Sequence, residues 1–217
     1  GEDERLAQVA VVEAPGALGA NPLASGRGHD VIVDNMDPAV TQPLAETPPN
    51  LYFTDSGETF EFQTSAKSGD GVFRFRWTLE GGKKGPPEHV HDHERETFSI
   101  LSGTLRIWIE GTPRDLAPGE TVTVEKGQRH RFLNPAKEPV VVDVSLDGAL
   151  QEDVLVPLAI HLGGRRKMKV GDVFTLMAHV TEVEASRPPS RFMRGVFGGM
   201  AGLGRLFGAR PLPRVGP

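Results

Sequence analysis

Hydrophobic and polar residues alternate through the middle of the chain. Thr59-Phe60-Glu61-Phe62-Gln63 sets the period, and Phe73-Arg74-Phe75-Arg76-Trp77-Thr78-Leu79 holds it for longer. A period of two puts Phe73, Phe75, Trp77 and Leu79 on one dry face of a strand and leaves Arg74 and Arg76 to solvent. Runs of the same texture follow at 97–101, 104–110, 121–125, 129–133 and 140–146. They are punctuated by Ser102-Gly103, Pro113, Pro118-Gly119, Lys126-Gly127 and Asn134-Pro135. Short strands with turn residues about every 8 to 12 positions predict an all-β sandwich or barrel.

The flanks read differently. Residues 1–50 hold six prolines and five glycines and no sustained period, which predicts an extended N-terminal arm with one short strand at 29–33. After Asp147 the period becomes helical. Leu150, Val154, Leu155, Leu158 and Leu162 mark a first helix that Pro157 interrupts. Val173, Leu176, Met177 and Val180 mark a second, capped by Asp172, and a third runs over 189–207 with an apolar face that Gly198, Gly199, Gly202 and Gly204 weaken. The expected division is therefore an arm over 1–50, a β domain over 51–147 and a helical extension over 148–217.

The charge follows the same division. The formal net charge is −5, but residues 1–164 carry −12 and residues 165–217 carry +7. An acidic body argues against a nucleic-acid partner. For the basic third helix, capping a barrel opening or packing in a dimer is preferred to lying on a membrane surface. With no cysteine in the chain, disulfides and thiolate chemistry are excluded, and any metal must be held by His, Asp or Glu. No apolar run is long enough to span a membrane, and the opening Gly1-Glu2-Asp3-Glu4 does not read as a signal peptide. The expected location is cytoplasmic.

The chemistry concentrates in Pro86-Pro87-Glu88-His89-Val90-His91-Asp92-His93-Glu94-Arg95-Glu96. On a strand, His89 and His91 point the same way, so both can reach one ion. Glu96 starts the next strand, whose inward residues by parity are Glu96, Phe98 and Ile100. His130 follows the turn at Gly127 on a strand that must run beside the first, with Phe132 on the same face. Three imidazoles and a carboxylate with positions left open suit a catalytic divalent transition metal rather than calcium or a closed zinc site. His93 is expected in a solvated loop, Asp92, Glu94 and Arg95 in a polar turn, and His161 and His179 among satisfied core or surface histidines.

At these residues the sequence resembles the cupin superfamily. His89, His91, Glu96 and Gly103 match its first motif at every position, and Gly119, Gly127, His130 and Asn134 match its second. Glu125 stands where the family prefers proline, and Lys83 stands where a glycine usually precedes the first motif. The resemblance implies a double-stranded β-helix, or jelly-roll, barrel with a metal inside and often a homodimer. It also implies that His89, His91, Glu96 and His130 hold iron, manganese or nickel ahead of zinc or copper. The expected activity is that of an oxygenase resembling quercetin-type dioxygenases, with Glu96 as catalytic base and Phe98, Ile100 and Phe132 lining the pocket of a small enolic or aromatic substrate. A metal-dependent isomerase, cyclase or decarboxylase, or a binding protein without activity, would use the same residues.

Overall fold

A computed structural model describes residues 48, 50–53 and 55–214. Its strands are β1 Leu51–Phe53, β2 Glu58–Thr64, β3 Phe73–Leu79, β4 His89–Val90, β5 Glu96–Ser102, β6 Leu105–Ile109, β7 Thr112–Leu116, β8 Thr121–Val124, β9 Arg129–Leu133 and β10 Val140–Leu146. Helices α1 Leu150–Leu162, α2 Val170–Val183 and α3 Arg191–Leu206 follow. Apart from Pro48 and Asn50, the arm expected over 1–50, with its strand at 29–33, lies outside the described residues.

All ladders are antiparallel, in a six-stranded sheet β1-β2-β3-β10-β5-β8 and a four-stranded sheet β4-β9-β6-β7. One hydrophobic core draws on both sheets and on α1. The alternation in β3 places Phe73, Phe75, Trp77 and Leu79 in that core. On the outer face Arg74 pairs with Asp70 at 2.6 Å and Arg76 with Asp143 at 2.9 Å. Gly103 turns the chain between β5 and β6 at a φ of 80°, where a Cβ would sit 2.6 Å from the Pro139 carbonyl oxygen. No larger residue fits there.

The three helices expected after Asp147 follow the sheets. Two expectations need correction. Among the described residues no hydrogen-bonded ladder joins the two sheets into a closed barrel. Edge strands β1 and β4, three and two residues long, are too short to continue the pairing. And Pro113, read as a turn residue, sits inside β7, which is the edge of its sheet, where a missing N–H costs no ladder bond.

Helix α1 runs unbroken through Pro157. Proline has no N–H to give to the carbonyl four residues earlier, that of Asp153. His179 of α2 takes it instead, with Nε2 donating to Asp153 O at 2.6 Å. Burial holds the His179 pKa below its ordinary value, so the ring is neutral and its one hydrogen serves this bond. Helix α2 begins at Val170, and Asp172 sits in its first turn rather than at the cap, accepting from Lys169 N, Arg165 Nη1 and His161 Nε2.

Candidate metal centre

The four residues singled out in the sequence come together from both sheets. β4 lies antiparallel to β9 with His89 opposite His130, and the two ring centroids are 4.2 Å apart. His91 lies just past β4, its ring 5.3 Å from that of His130. Glu96 opens β5 in the other sheet, with Oε2 at 3.2 Å from His130 Nε2 and 3.5 Å from His91 Nε2. One ligand atom from each of His89, His91, Glu96 and His130 lies within 4.8 Å of the others.

Backbone carbonyls fix the histidine tautomers. His89 Nδ1 lies 2.9 Å from Pro87 O, His91 Nδ1 2.7 Å from Ala185 O and His130 Nδ1 3.1 Å from Gln128 O. A carbonyl only accepts, so each Nδ1 carries a hydrogen and each Nε2 is left to face the centre as a lone pair. Two such lone pairs beside a carboxylate oxygen repel unless a proton or a metal cation sits among them. The donor set therefore suggests a metal ion, and its nitrogen and oxygen composition fits a divalent transition metal.

The electrostatics agree with that demand for positive charge. Burial opposes charging Glu96, but with a proton on the His130 and His91 Nε2 atoms their hydrogen bonds to it outweigh burial and hold the carboxyl well below the usual range. Burial also works against charging His91, yet Glu96 beside it leaves the pKa raised. His89, half-buried at the edge of the cluster, is pushed down to about 3 by burial and by the neighbouring His130 and His91. It is neutral over the physiological range.

His130 of the cluster is fully buried, and His89, His91 and Glu96 line a cavity of about 190 Å³. Phe60, Phe75, Trp77, Phe98 and Phe132 wall it from the sheets, and Leu155, Leu158, Leu176 and Val180 close it from α1 and α2. Phe98 and Phe132 thus stand where their parity with Glu96 and His130 put them. Ile100 does not line the cavity; it lies one inward position farther along β5, buried in the core. His93 is exposed.

Several residues of the site escaped the sequence reading. Glu58 lines the cavity, buried, and accepts from Trp77 Nε1 at 3.2 Å and Ser56 Oγ at 2.6 Å. Burial outweighs those bonds and raises its pKa. Its parity with Phe60 and Phe62 was the available signal. Glu94, expected in a polar turn, is buried and accepts from the backbone N–H of Leu150 and Gln151 at 2.7 and 3.1 Å. It supplies the negative charge that the exposed N–H groups at the start of α1 favour. Ala185 O, which orients His91, had no signal, since a carbonyl carries none.

Residues 75–147 match the family model for the cupin domain, Cupin_2. The chain carries a cupin domain. The chain is also similar to mannose-1-phosphate guanylyltransferase of Escherichia coli, 29% identical over 100 residues, 46% of this chain and 21% of that protein. The probable oxidoreductase patJ of Aspergillus clavatus is 33% identical over 67 residues, 30% of this chain and 21% of that protein. The chain thus spans about a fifth of the length of these curated relatives. Among solved structures, a cupin-superfamily sugar phosphate isomerase from Silicibacter pomeroyi aligns with a TM-score of 0.41 at 18% identity, over 46% of this chain and 69% of that one. The cupin domain of an XRE family transcriptional regulator from Enterobacter cloacae aligns with a TM-score of 0.37 at 19% identity, over 42% of this chain and 95% of that one.

Proposed function

We propose that this cupin domain is a metal-dependent oxygenase acting on a small, largely apolar enolic or aromatic molecule. The observation that carries the reading is the convergence of three Nε2 lone pairs and the Glu96 carboxylate beside an aromatic cavity. His89, His91, Glu96 and His130 would hold the ion. When bound, it would supply Lewis acidity toward a substrate hydroxyl and the redox chemistry an oxygenase requires.

The chain's own residues do the rest. Glu96 turns Oε2 toward both imidazoles, and its second oxygen would take the proton of the enol. Phe98 and Phe132 pack beside the cluster with their rings tilted and their centroids 4.7 Å apart, and exclude water from the reacting end. The resemblance of part of the chain to proteins named oxidoreductases in Aspergillus clavatus and Arthrobotrys oligospora supports oxidation over isomerisation.

The test is metal content followed by turnover. Elemental analysis of the purified protein is expected to find a divalent transition metal, lost in His130→Ala and strongly reduced in Glu96→Ala. Flavonol consumption is expected in air and not under argon. Metal content untouched by both substitutions would overturn the site, and equal turnover without oxygen would overturn the oxygenase reading alone. Homodimerisation, expected from the resemblance, is a separate proposal that light scattering decides.

A further inference from the structure

The third helix leaves its apolar side outward. Six of the exposed large hydrophobic residues, Phe192, Met193, Val196, Leu203, Leu206 and Phe207, fall on α3 and the residue after it. Phe192 is 77% exposed, Leu206 83% and Phe207 80%, values at which an aromatic or aliphatic side chain has almost no protein contact. On a helix of 3.6 residues per turn, Phe192, Val196, Leu203 and Leu206 share one face. Ala201, opposite them, is buried. Gly204 is where α3 meets α2 most closely, since a Cβ there would sit 2.9 Å from Phe174 Cβ. α3 is therefore anchored by its small residues and presents its large ones to the outside.

The charge around this face has one sign. From Ala185 to Arg214 the chain has six arginines and no aspartate or glutamate. Arg187, Arg205 and Arg214 reach back to Asp92, Glu182 and Asp153, and Arg194 lies on the Ala201 side of the helix with its charge acting on Asp92, whereas Arg191, flanking the apolar stripe, and Arg210, after the helix, are exposed. A second copy paired across a two-fold axis would set this arginine-bearing face against itself. A surface that is apolar beneath and anionic at its boundary complements it. We propose that α3 docks on an anionic phospholipid surface, with Phe192, Leu203, Leu206 and Phe207 among the acyl chains and the arginines at the headgroups. No described helix is long and apolar enough to cross a membrane, so the contact is peripheral. No residue of α3 lines the cavity, so its chemistry is independent of this docking.

Vesicle flotation of the full chain tests the proposal, using phosphatidylcholine vesicles and mixed phosphatidylcholine–phosphatidylglycerol vesicles. The protein is expected to float with the mixed vesicles and to be released by salt. Leu206→Ser with Phe207→Ser is expected to weaken binding by roughly a hundredfold, from the loss of two large apolar groups. Arg191→Gln with Arg210→Gln is expected to weaken it by roughly thirtyfold at low salt. Unchanged thermal unfolding and metal content in both pairs keep the result from being a folding defect. Failure of the parent protein to float with either vesicle would overturn the proposal, as would flotation that both pairs leave intact. A dimer in solution that Leu206→Ser with Phe207→Ser disperses would overturn it in favour of a second copy as the occupant.

Discussion

His89 and His91 stand two residues apart and are driven toward opposite protonation states. His89 is kept neutral, its pKa lowered from 6.5 to about 3, whereas Glu96 raises that of His91. The unfolded chain therefore binds more protons at His89 than the native state does between pH 6.5 and about 3. The stability His89 contributes is complete above 6.5 and is lost as pH falls through that window. His91 behaves in the reverse sense, its contribution present below 6.5 and lost as pH rises through its folded value. In chelator-treated protein, His89→Gln is expected to flatten the acid side of the Tm-against-pH curve, and His91→Gln the neutral-to-alkaline side. Melts across a pH series check both, and parallel curves for the variants and parent would contradict the assignment. At this scale the sequence spoke clearly where a residue type is itself the signal, as with His89, His91, Glu96 and His130. It was silent on Pro87, Gln128 and Ala185, whose backbone oxygens orient those rings. It misplaced Glu94 because a carboxylate between Asp92 and Arg95 looks solvated until a helix N-terminus is found to rest on it.

Among the elements, the strands were legible because one-sided burial writes a period of two directly into side-chain polarity. The short strand β1 was not, since three residues cannot display a period, and β4, only two residues long, was read from the spacing of His89 and His91 instead. β7 was hidden by Pro113, whose cost vanishes on a sheet edge. For α1 the difficulty was Pro157, which the fold accommodates with His179 of α2. That partnership is testable as a cycle. His179→Ala leaves a buried carbonyl without its donor and is expected to cost about 1–3 kcal/mol beyond the packing lost. In a Pro157→Ala background the restored N–H can serve the Asp153 carbonyl, and the same substitution is expected to cost about 1 kcal/mol less. Chemical denaturation of the four proteins measures the coupling, and strict additivity would show that the two residues act separately.

For the whole molecule, the C-terminal extension belongs to the site rather than beside it. α1 and α2 wall the cavity, and the segment after α2 pairs with β4 through reciprocal bonds between Val90 and Arg187, 3.0 Å in each direction. That pairing brings Ala185 O to His91. Arg187→Pro removes the N–H that holds the segment to Val90 O and is expected to weaken metal affinity by roughly 10- to 100-fold, the range typical for losing a group that orients a ligand. Competition with a chromophoric chelator measures it; unchanged affinity would mean that the extension only covers the cavity. The charge split in the sequence foretold a distinct tail but not its attachment, because the contacts at 185–187 are made by the backbone.

One consequence follows from where the four ligands originate. His89 and His130 belong to the four-stranded sheet, with His91 at its margin, and Glu96 belongs to the six-stranded one, while among the described residues no ladder joins the two. An ion held by all four would be a rivet through a seam that the backbone leaves open. Its departure would require the sheets to part at that end, so exchange with free metal should be governed by the opening of the sandwich and should slow wherever the protein is made more rigid.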